Sequence, residues 1–128
     1  KGMTTEFVCQ NMDHESVIVA DDEKLGIVIR NLLSNAIKYG LPNSIIYITL
    51  TALENSVEVS VENAGENIPE HYIKKLFRKF VRLDATQGTK GSGLGLYNAR
   101  KIVELWGGTI RVESNDNKTR FTFSIPQE

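Results

Sequence analysis

The sequence predicts an α+β fold, a two-layer α/β sandwich in which three helices cover one face of a mixed, mostly antiparallel sheet. Most extended runs come in pairs separated by a short polar turn, which indicates hairpins, and amphipathic helical segments lie between the pairs. The length of 128 residues and the hydrophobic content of 41% suit one domain with its own core. We assign the domain to residues 4–128 and set aside residues 1–3, which show no pattern.

The composition argues against several partners and sites. A formal net charge of −1 at pH 7 provides no basic field for nucleic acid or for direct membrane contact. The single cysteine, Cys9, can form neither an intrachain disulfide nor a structural zinc site, and this usage fits a reducing cytosol. No apolar run reaches the roughly 18 residues of a membrane span. We therefore expect a cytoplasmic domain, monomeric by itself, whose parent protein could still carry a membrane anchor.

The first part of the chain predicts a hairpin and then a long helix. Residues 6–9 and 17–20 are short extended runs on either side of a polar segment. Asp21 and Asp22 offer an N-cap, and Gly40 ends the helix that follows. The apolar positions of this helix recur at helical spacing: Leu25, Val28, Ile29, Leu32, Leu33 and Ala36.

The middle of the chain predicts two strands and a shorter helix. Residues 45–50 and 57–61 form an antiparallel pair with its turn at residues 54–55, and the second run alternates strictly between apolar and polar residues. Pro69 is expected to be the first residue of the second helix. The apolar positions of that helix are Ile73, Leu76, Phe77 and Phe80.

The last part predicts a loop, a helix and a closing hairpin. Residues 83–93 are rich in Gly, Thr, Ser and Lys without periodicity, which is typical of a mobile segment near a ligand. The third helix covers residues 94–105 and ends at Gly107-Gly108. Strands at 109–112 and 121–125 follow, joined by a turn at residues 115–117.

The first helix carries three polar residues that point to phosphate and metal chemistry. Asn31, Asn35 and Lys38 are spaced by four and three residues, so they emerge on one helical face. Two amide oxygens suit a hard cation, and an ammonium group suits phosphate. An ordinary solvated helix face is the alternative interpretation.

The glycine-rich segment Gly91-Ser92-Gly93-Leu94-Gly95-Leu96 favours the phosphate interpretation. It ends the polar loop and opens the third helix, where free backbone N–H groups and the helix dipole attract an anion. By itself the pattern also suits a tight turn. It follows a loop and not a strand, which excludes a Rossmann dinucleotide site.

Four segments together resemble the conserved boxes of the catalytic domain of two-component sensor histidine kinases, a branch of the GHKL ATPase superfamily with the Bergerat fold. In family order, residues 31–39 are similar to the N box, 63–69 to the G1 box, 76–80 to the F box and 91–96 to the G2 box. Residues 102–110 also fit the family. The resemblance therefore covers nearly the whole chain.

The resemblance implies that the chain binds ATP and Mg²⁺. Asn35 would coordinate Mg²⁺, Asn31 and Lys38 would contact phosphate and act in catalysis, and Tyr39 would line the nucleotide pocket. The other residues that it implies for the nucleotide site come from the G1, F and G2 boxes: Asn63, Gly65, Ile68, Phe80, Gly91, Ser92, Gly93, Leu94, Gly95 and Leu96. Phe77 and Phe80 would anchor the start of the loop, and for both a place in the core is favoured slightly over a direct ligand contact.

Two positions depart from the family pattern. Asn63 stands where the G1 box usually has an Asp that accepts a hydrogen bond from the adenine amino group. A neutral amide oxygen accepts a weaker hydrogen bond than a carboxylate, so we expect nucleotide binding to be weaker by roughly 1 kcal/mol. Asn67 replaces the second glycine of the box, and we expect it at φ > 0, which Asn tolerates better than most residues.

Asn31 indicates which reaction the site supports. Members of the superfamily that hydrolyse ATP resemble one another in a Glu at this position, whose carboxylate activates water. Its absence favours a kinase that holds ATP for an external nucleophile, and it argues against a GHKL ATPase or a protein-serine kinase of the anti-sigma type. The resemblance implies transfer of the γ-phosphoryl group to a histidine on the phosphoacceptor and dimerisation helices of the same kinase, with a response regulator downstream.

No segment of this chain matches the complete phosphoacceptor motif of the family, although His14-Glu15 repeats two letters of it. The sequence predicts a polar turn at His14 and an exposed helix start at His71, so we interpret both as solvated histidines. The alternative function is a degenerate, non-catalytic domain that serves as a signalling or docking module. Asn63 and Asn67 would then be marks of decay, whereas Asn35, Lys38 and the complete glycine-rich segment argue for a working site.

Overall fold

The computed structural model describes residues 2–10, 21–78 and 95–127. The strands in these ranges are β1 (Thr4–Gln10), β2 (Ile45–Ala52), β3 (Ser56–Ala64), β4 (Ile110–Asn115) and β5 (Lys118–Pro126). The helices are α1 (Asp22–Tyr39), α2 (Glu70–Ile73) and α3 (Gly95–Leu105). The α+β class and the two-layer arrangement are confirmed.

The five strands form one sheet in the order β1-β2-β3-β5-β4. β1 pairs with β2 in parallel, with Phe7 opposite Ile48, and every other pair is antiparallel. The sheet is therefore mixed and mostly antiparallel, as predicted. The extended run predicted at residues 17–20 lies outside the described residues. A parallel pair needs a crossover connection, and α1 lies within it.

Helix α1 begins and ends where the sequence predicts. The Asp21 carboxylate caps it, accepting from the backbone N–H groups of Glu23 at 2.9 Å and Lys24 at 3.1 Å. The buried residues of the helix are Val28, Leu32 and Ala36. Their spacing of four residues directs one stripe of α1 into the core.

The second helix is shorter than predicted. α2 covers only Glu70–Ile73, and the chain then continues in turns up to Arg78. The bonds from the N–H of Lys75 to the carbonyl of Tyr72, and from Leu76 to Ile73, connect residues three apart, as in tighter turns. Pro69 is the N-cap and not the first helical residue. Leu76 is nevertheless buried, because these turns keep the apolar side toward the core.

The core lies between the helices and one face of the sheet. Strand β3 buries Val57, Val59 and Val61, and β5 buries Phe121, Phe123 and Ile125. The alternate residues of β3 lie on the other face, where Glu62 pairs with Arg120 at 2.9 Å and Glu58 with Arg111 at 3.2 Å. One face is therefore apolar and covered, and the other carries exposed ion pairs.

The end of α3 and the turn of the last hairpin both have the backbone conformations that the sequence predicts. Gly107 follows α3 with φ 80°, a conformation that ends helices, and its N–H donates to the Glu104 carbonyl at 3.0 Å. The turn between β4 and β5 has Asp116 at φ 51° and Asn117 at φ 58°, as in a two-residue type I′ turn.

Met3, which precedes β1, also packs against the core. No helix within the described ranges is long and apolar enough to cross a membrane.

Candidate functional site

The polar face of α1 forms one wall of the candidate site. Asn31, Asn35 and Lys38 are all half-buried, and they lie between the buried stripe of the helix and its exposed positions such as Ser34. Residues at these spacings share a face, so the structure brings the two amides and the ammonium group to one side of the helix, as predicted. Tyr39 is the last residue of α1 and is also half-buried.

The first residue of α3 lies against Asn31. A Cβ atom built on Gly95 would lie 3.5 Å from Asn31 Oδ1 and 3.6 Å from its Cγ. Residues 31 and 95 are thus adjacent in space although 64 positions separate them in the sequence. The N-terminus of α3, with backbone N–H groups that have no partner within the helix, therefore lies beside the polar face of α1.

The end of strand β3 supplies the second wall. Asn63 is only 4% exposed, and its Nδ2 donates to the Ala64 carbonyl at 3.1 Å. A Cβ atom on Gly40 would lie 3.4 Å from Asn63 Cβ, and one on Gly65 would lie 2.8 Å from the Tyr39 carbonyl oxygen. Nδ2 can only donate, so Oδ1 is the side-chain atom of Asn63 that can accept a hydrogen bond.

The segment after Asn63 is attached to the tip of the β4–β5 hairpin. The N–H of Gly65 donates to the Asn117 carbonyl at 3.0 Å, and the N–H of Ile68 donates to Ser114 Oγ at 2.7 Å. The N–H of Asn117 in turn donates to Asn67 Oδ1 at 2.8 Å. The expectation of φ > 0 at Asn67 is wrong, since the described non-glycine residues with positive φ are Asn43, Asp116 and Asn117. Asn67 is held at this position by the hydrogen bond of its side chain, and its backbone does not have a positive φ.

Two residues of this region were missed by the sequence analysis. Thr119 is 4% exposed, stands opposite Asn63 in the β3–β5 register, and exchanges a hydrogen bond of 2.9 Å with Ser114 Oγ. The alternation of β5 contains the signal for Thr119, because it shares its parity with Phe121 and Phe123, which face the core. Ser114 carries the same signal in β4, where it shares its parity with half-buried Ile110 and Val112. Its partner could not be predicted, because that depends on the path of the distant G1 segment, residues 65–69.

The remaining predicted site residues fall into two groups. Phe80 and residues 91–94 (Gly91, Ser92, Gly93 and Leu94) lie outside the described residues. Ile68, Phe77 and Leu96 are half-buried and pack against the core. Phe77 also meets Phe121 edge to face, with ring centroids 6.2 Å apart, so its core role is supported. His71 is exposed and stacks at a tilt on Tyr72.

Metal ligands of the carboxylate, imidazole or thiolate type are not gathered in the described part of the chain. No group of three or more His, Cys, Asp or Glu residues there could hold an ion. The oxygen donors on the polar face of α1 are the amides of Asn31 and Asn35. Such a face suits a magnesium ion that is bound mainly by phosphate and water, because Mg²⁺ commonly keeps one or two protein ligands.

Comparison with known proteins identifies the family. A sequence model of the histidine kinase-, DNA gyrase B- and HSP90-like ATPases matches residues 20–128. The chain belongs to this family. Within it, the chain is homologous to the catalytic domains of two-component sensor histidine kinases, as the following relatives indicate.

The relatives include a sensor protein and solved histidine kinases. The sensor protein VanS of Enterococcus faecium is 40% identical over 136 residues, which cover 97% of this chain and 35% of VanS. The nucleotide-free catalytic domain of histidine kinase ThkA matches with a TM-score of 0.80 and 35% identity, over 96% of this chain and 80% of that one. ThkA in complex with the response regulator protein TrrA matches with a TM-score of 0.75 and 35% identity, over 97% of this chain and 34% of that one. The chain thus spans about a third of the length of VanS.

Proposed function

We propose that this chain binds ATP with Mg²⁺ and donates the γ-phosphoryl group to a histidine on separate phosphoacceptor and dimerisation helices of the same kinase. The observation that carries the proposal is that Gly95 lies beside Asn31, since a Cβ atom built on Gly95 would be 3.5 Å from Asn31 Oδ1. This adjacency joins the amides and ammonium group of α1 to the N-terminus of an eleven-residue helix, α3. Two independent attractions for an anion therefore meet at one place.

The phosphate end of the nucleotide belongs at this junction. Asn31 and Lys38 would contact phosphate oxygens, and the absence of a Cβ on Gly95 leaves space for them near the α3 N–H groups. Asn35 would supply an amide oxygen to Mg²⁺, which offsets the phosphate charge when it is bound. Residue 31 carries no carboxylate to activate water, so ATP is held for another nucleophile.

The adenine end belongs at the close of β3. Asn63 Oδ1 would accept a hydrogen bond from the adenine amino group, while the bond of Nδ2 to the Ala64 carbonyl fixes the amide orientation. Gly65, close to the Tyr39 carbonyl, brings the G1 segment against the end of α1. The two ends of the site are thus linked through α1, which carries both the phosphate-facing residues and Tyr39.

The transfer step needs a partner domain. An imidazole nitrogen of the acceptor histidine attacks the γ-phosphorus, and the bond from phosphorus to the β–γ bridging oxygen breaks, with its electron pair leaving on ADP. The imidazole proton passes to water or to a base on the acceptor domain. This chain orients the nucleotide, and a response regulator would later take the phosphoryl group, as the complex of ThkA with TrrA suggests. Such use of ATP fits a cytoplasmic location.

Calorimetric titration with a non-hydrolysable ATP analogue tests the proposal. The wild-type chain should bind the analogue more tightly with Mg²⁺ than without it. Asn35→Ala should abolish most of this Mg²⁺ enhancement, because it removes the proposed metal ligand. Ser34→Ala is the matched control, since Ser34 is the neighbouring exposed residue on the same helix and should leave binding unchanged. Absence of binding at millimolar analogue would instead support a non-catalytic signalling module.

A further inference from the structure

The G1 segment has no strand or helix to hold it. Residues 65–69 lie between β3 and α2, and their backbone makes no ladder with a neighbouring strand. The segment begins two residues after Asn63 and includes Gly65 and Ile68, which are candidate nucleotide residues. Its conformation therefore matters for binding, and something other than regular secondary structure must fix it.

Three hydrogen bonds attach this segment to the β4–β5 hairpin. The backbone N–H groups of Gly65 and Ile68 donate to Asn117 O at 3.0 Å and to Ser114 Oγ at 2.7 Å. Asn67 supplies the third bond by accepting from the Asn117 N–H at 2.8 Å. We call these three bonds the hairpin latch. Its anchor is firm, because Ser114 bonds to buried Thr119 and the hairpin turn is closed by a regular strand pair.

Asn67 is the member of the latch that a glycine could not replace. Gly65 and Ile68 contribute backbone groups that any non-proline residue provides, whereas the acceptor at position 67 is a side-chain oxygen. Asn67 and Gly65 bond to the N–H and the carbonyl of the same residue, Asn117, so each bond restricts the geometry of the other. An exposed glycine at position 67 would add backbone freedom and remove one of these two bonds.

We infer that Asn67 is a positioning residue that holds the G1 segment in the conformation that binds the nucleotide, without touching the nucleotide itself. The inference rests on the proposed ATP site. The side-chain hydrogen bond of Asn67 then compensates for the loss of the glycine that the family has at this position, and Asn67 does not indicate a degenerate site. A fully preorganised segment binds with its intrinsic affinity, whereas a segment that is competent only part of the time binds more weakly by that fraction.

Three variants test this role: Asn67→Ala, Asn67→Asp and Asn55→Ala. Asn67→Ala should raise the dissociation constant for the magnesium complex of adenylyl imidodiphosphate roughly two- to tenfold. This factor corresponds to the net free energy of one hydrogen bond. Asn67→Asp keeps an acceptor for the Asn117 N–H and should stay near the wild-type affinity in buffered salt. Asn55→Ala changes an exposed asparagine at the opposite end of β3 and should match wild type.

Amide hydrogen exchange on the nucleotide-free protein separates positioning from general stability. Asn67→Ala should speed exchange at the Gly65 and Ile68 amides, and it should leave exchange at Val59 and Val61 in the core of β3 unchanged. A role in overall stability would accelerate all four amides together. That result, or Asn67→Ala binding as tightly as wild type, overturns the inference while the ATP site stands.

The titrations also distinguish this inference from the proposed function. If the wild-type chain binds no analogue at millimolar concentration, the proposed ATP site fails and the inference fails with it. If the wild type binds and Asn67→Asp is as weak as Asn67→Ala, only the positioning role is refuted. Weakening in Asn67→Ala, with affinity retained in Asn67→Asp and Asn55→Ala, supports it.

Discussion

The junction of Gly95 with Asn31 allows nucleotide binding to be tested apart from folding. Gly95→Ala would place a methyl group 3.5 Å from Asn31 Oδ1 and 3.6 Å from its Cγ, which are ordinary van der Waals distances. No described atom must move to accommodate it. Alanine is favoured over glycine by about 1 kcal/mol in a helix interior, and by less at the first helical residue, where Gly95 stands. The melting temperature of the nucleotide-free protein should therefore stay the same or rise slightly.

Nucleotide binding should respond in the opposite direction. The new methyl group would occupy the space that the proposal assigns to phosphate oxygens between Asn31 and the N-terminus of α3. Forcing an extra carbon into a filled site costs about 1–3 kcal/mol, so the affinity for the ATP analogue should fall about fivefold or more. The same substitution should thus preserve or raise stability and weaken binding.

Gly26→Ala is the matched control for this experiment. Gly26 lies in α1, and the nearest atom to a Cβ there is Nη1 of exposed Arg30 at 2.9 Å, at the flexible end of a side chain that can move aside. Both variants should be measured by calorimetric titration and by differential scanning calorimetry, and Gly26→Ala should bind like wild type. Wild-type affinity in Gly95→Ala would refute the phosphate position. A clear fall in its melting temperature would refute the steric argument.

Two further substitutions test the adenine end and the fold. Asn63→Asp should tighten binding of the analogue about fivefold, since a carboxylate accepts a stronger hydrogen bond than an amide. It should also lower the melting temperature of the nucleotide-free protein, because the position is only 4% exposed. Unchanged affinity in titrations would argue against an adenine contact. Gly108→Ala should destabilise the protein by at least about 1–3 kcal/mol in denaturant unfolding, because its Cβ would overlap the backbone carbonyl of Ser124; a wild-type unfolding curve would contradict this.

Local signals predicted much of the fold. The cap at Asp21, the four-residue spacing of the apolar stripe and Gly40 determined both ends of α1, because each depends on neighbours within a few positions. Strict alternation predicted the centre of β3 correctly. It did not predict the end of the strand, because Asn63 and Ala64 continue it with polar or small side chains. The predicted second helix was too long, because tighter turns at residues 74–78 can also direct apolar residues inward.

Long-range pairing was the part that sequence patterns did not contain. The extended run in β1 was recognised, but its parallel partner β2 begins 35 residues after β1 ends, and alternation does not specify a partner. In the candidate site, helical spacing alone aligned Asn31, Asn35 and Lys38. The bond from Asn117 to Asn67 joins residues 50 positions apart, so no local pattern could reveal it.

The alternation of β3 makes the strand intolerant of insertions and deletions. Its even and odd positions separate the buried valines and Asn63 from the ion-paired glutamates on the other face. One added or lost residue within the strand would reverse every side chain beyond it, exposing apolar groups and moving Asn63 out of the site at once. Length variation among homologous chains should therefore collect in the turn at residues 53–55, where both flanking strands can keep their phase.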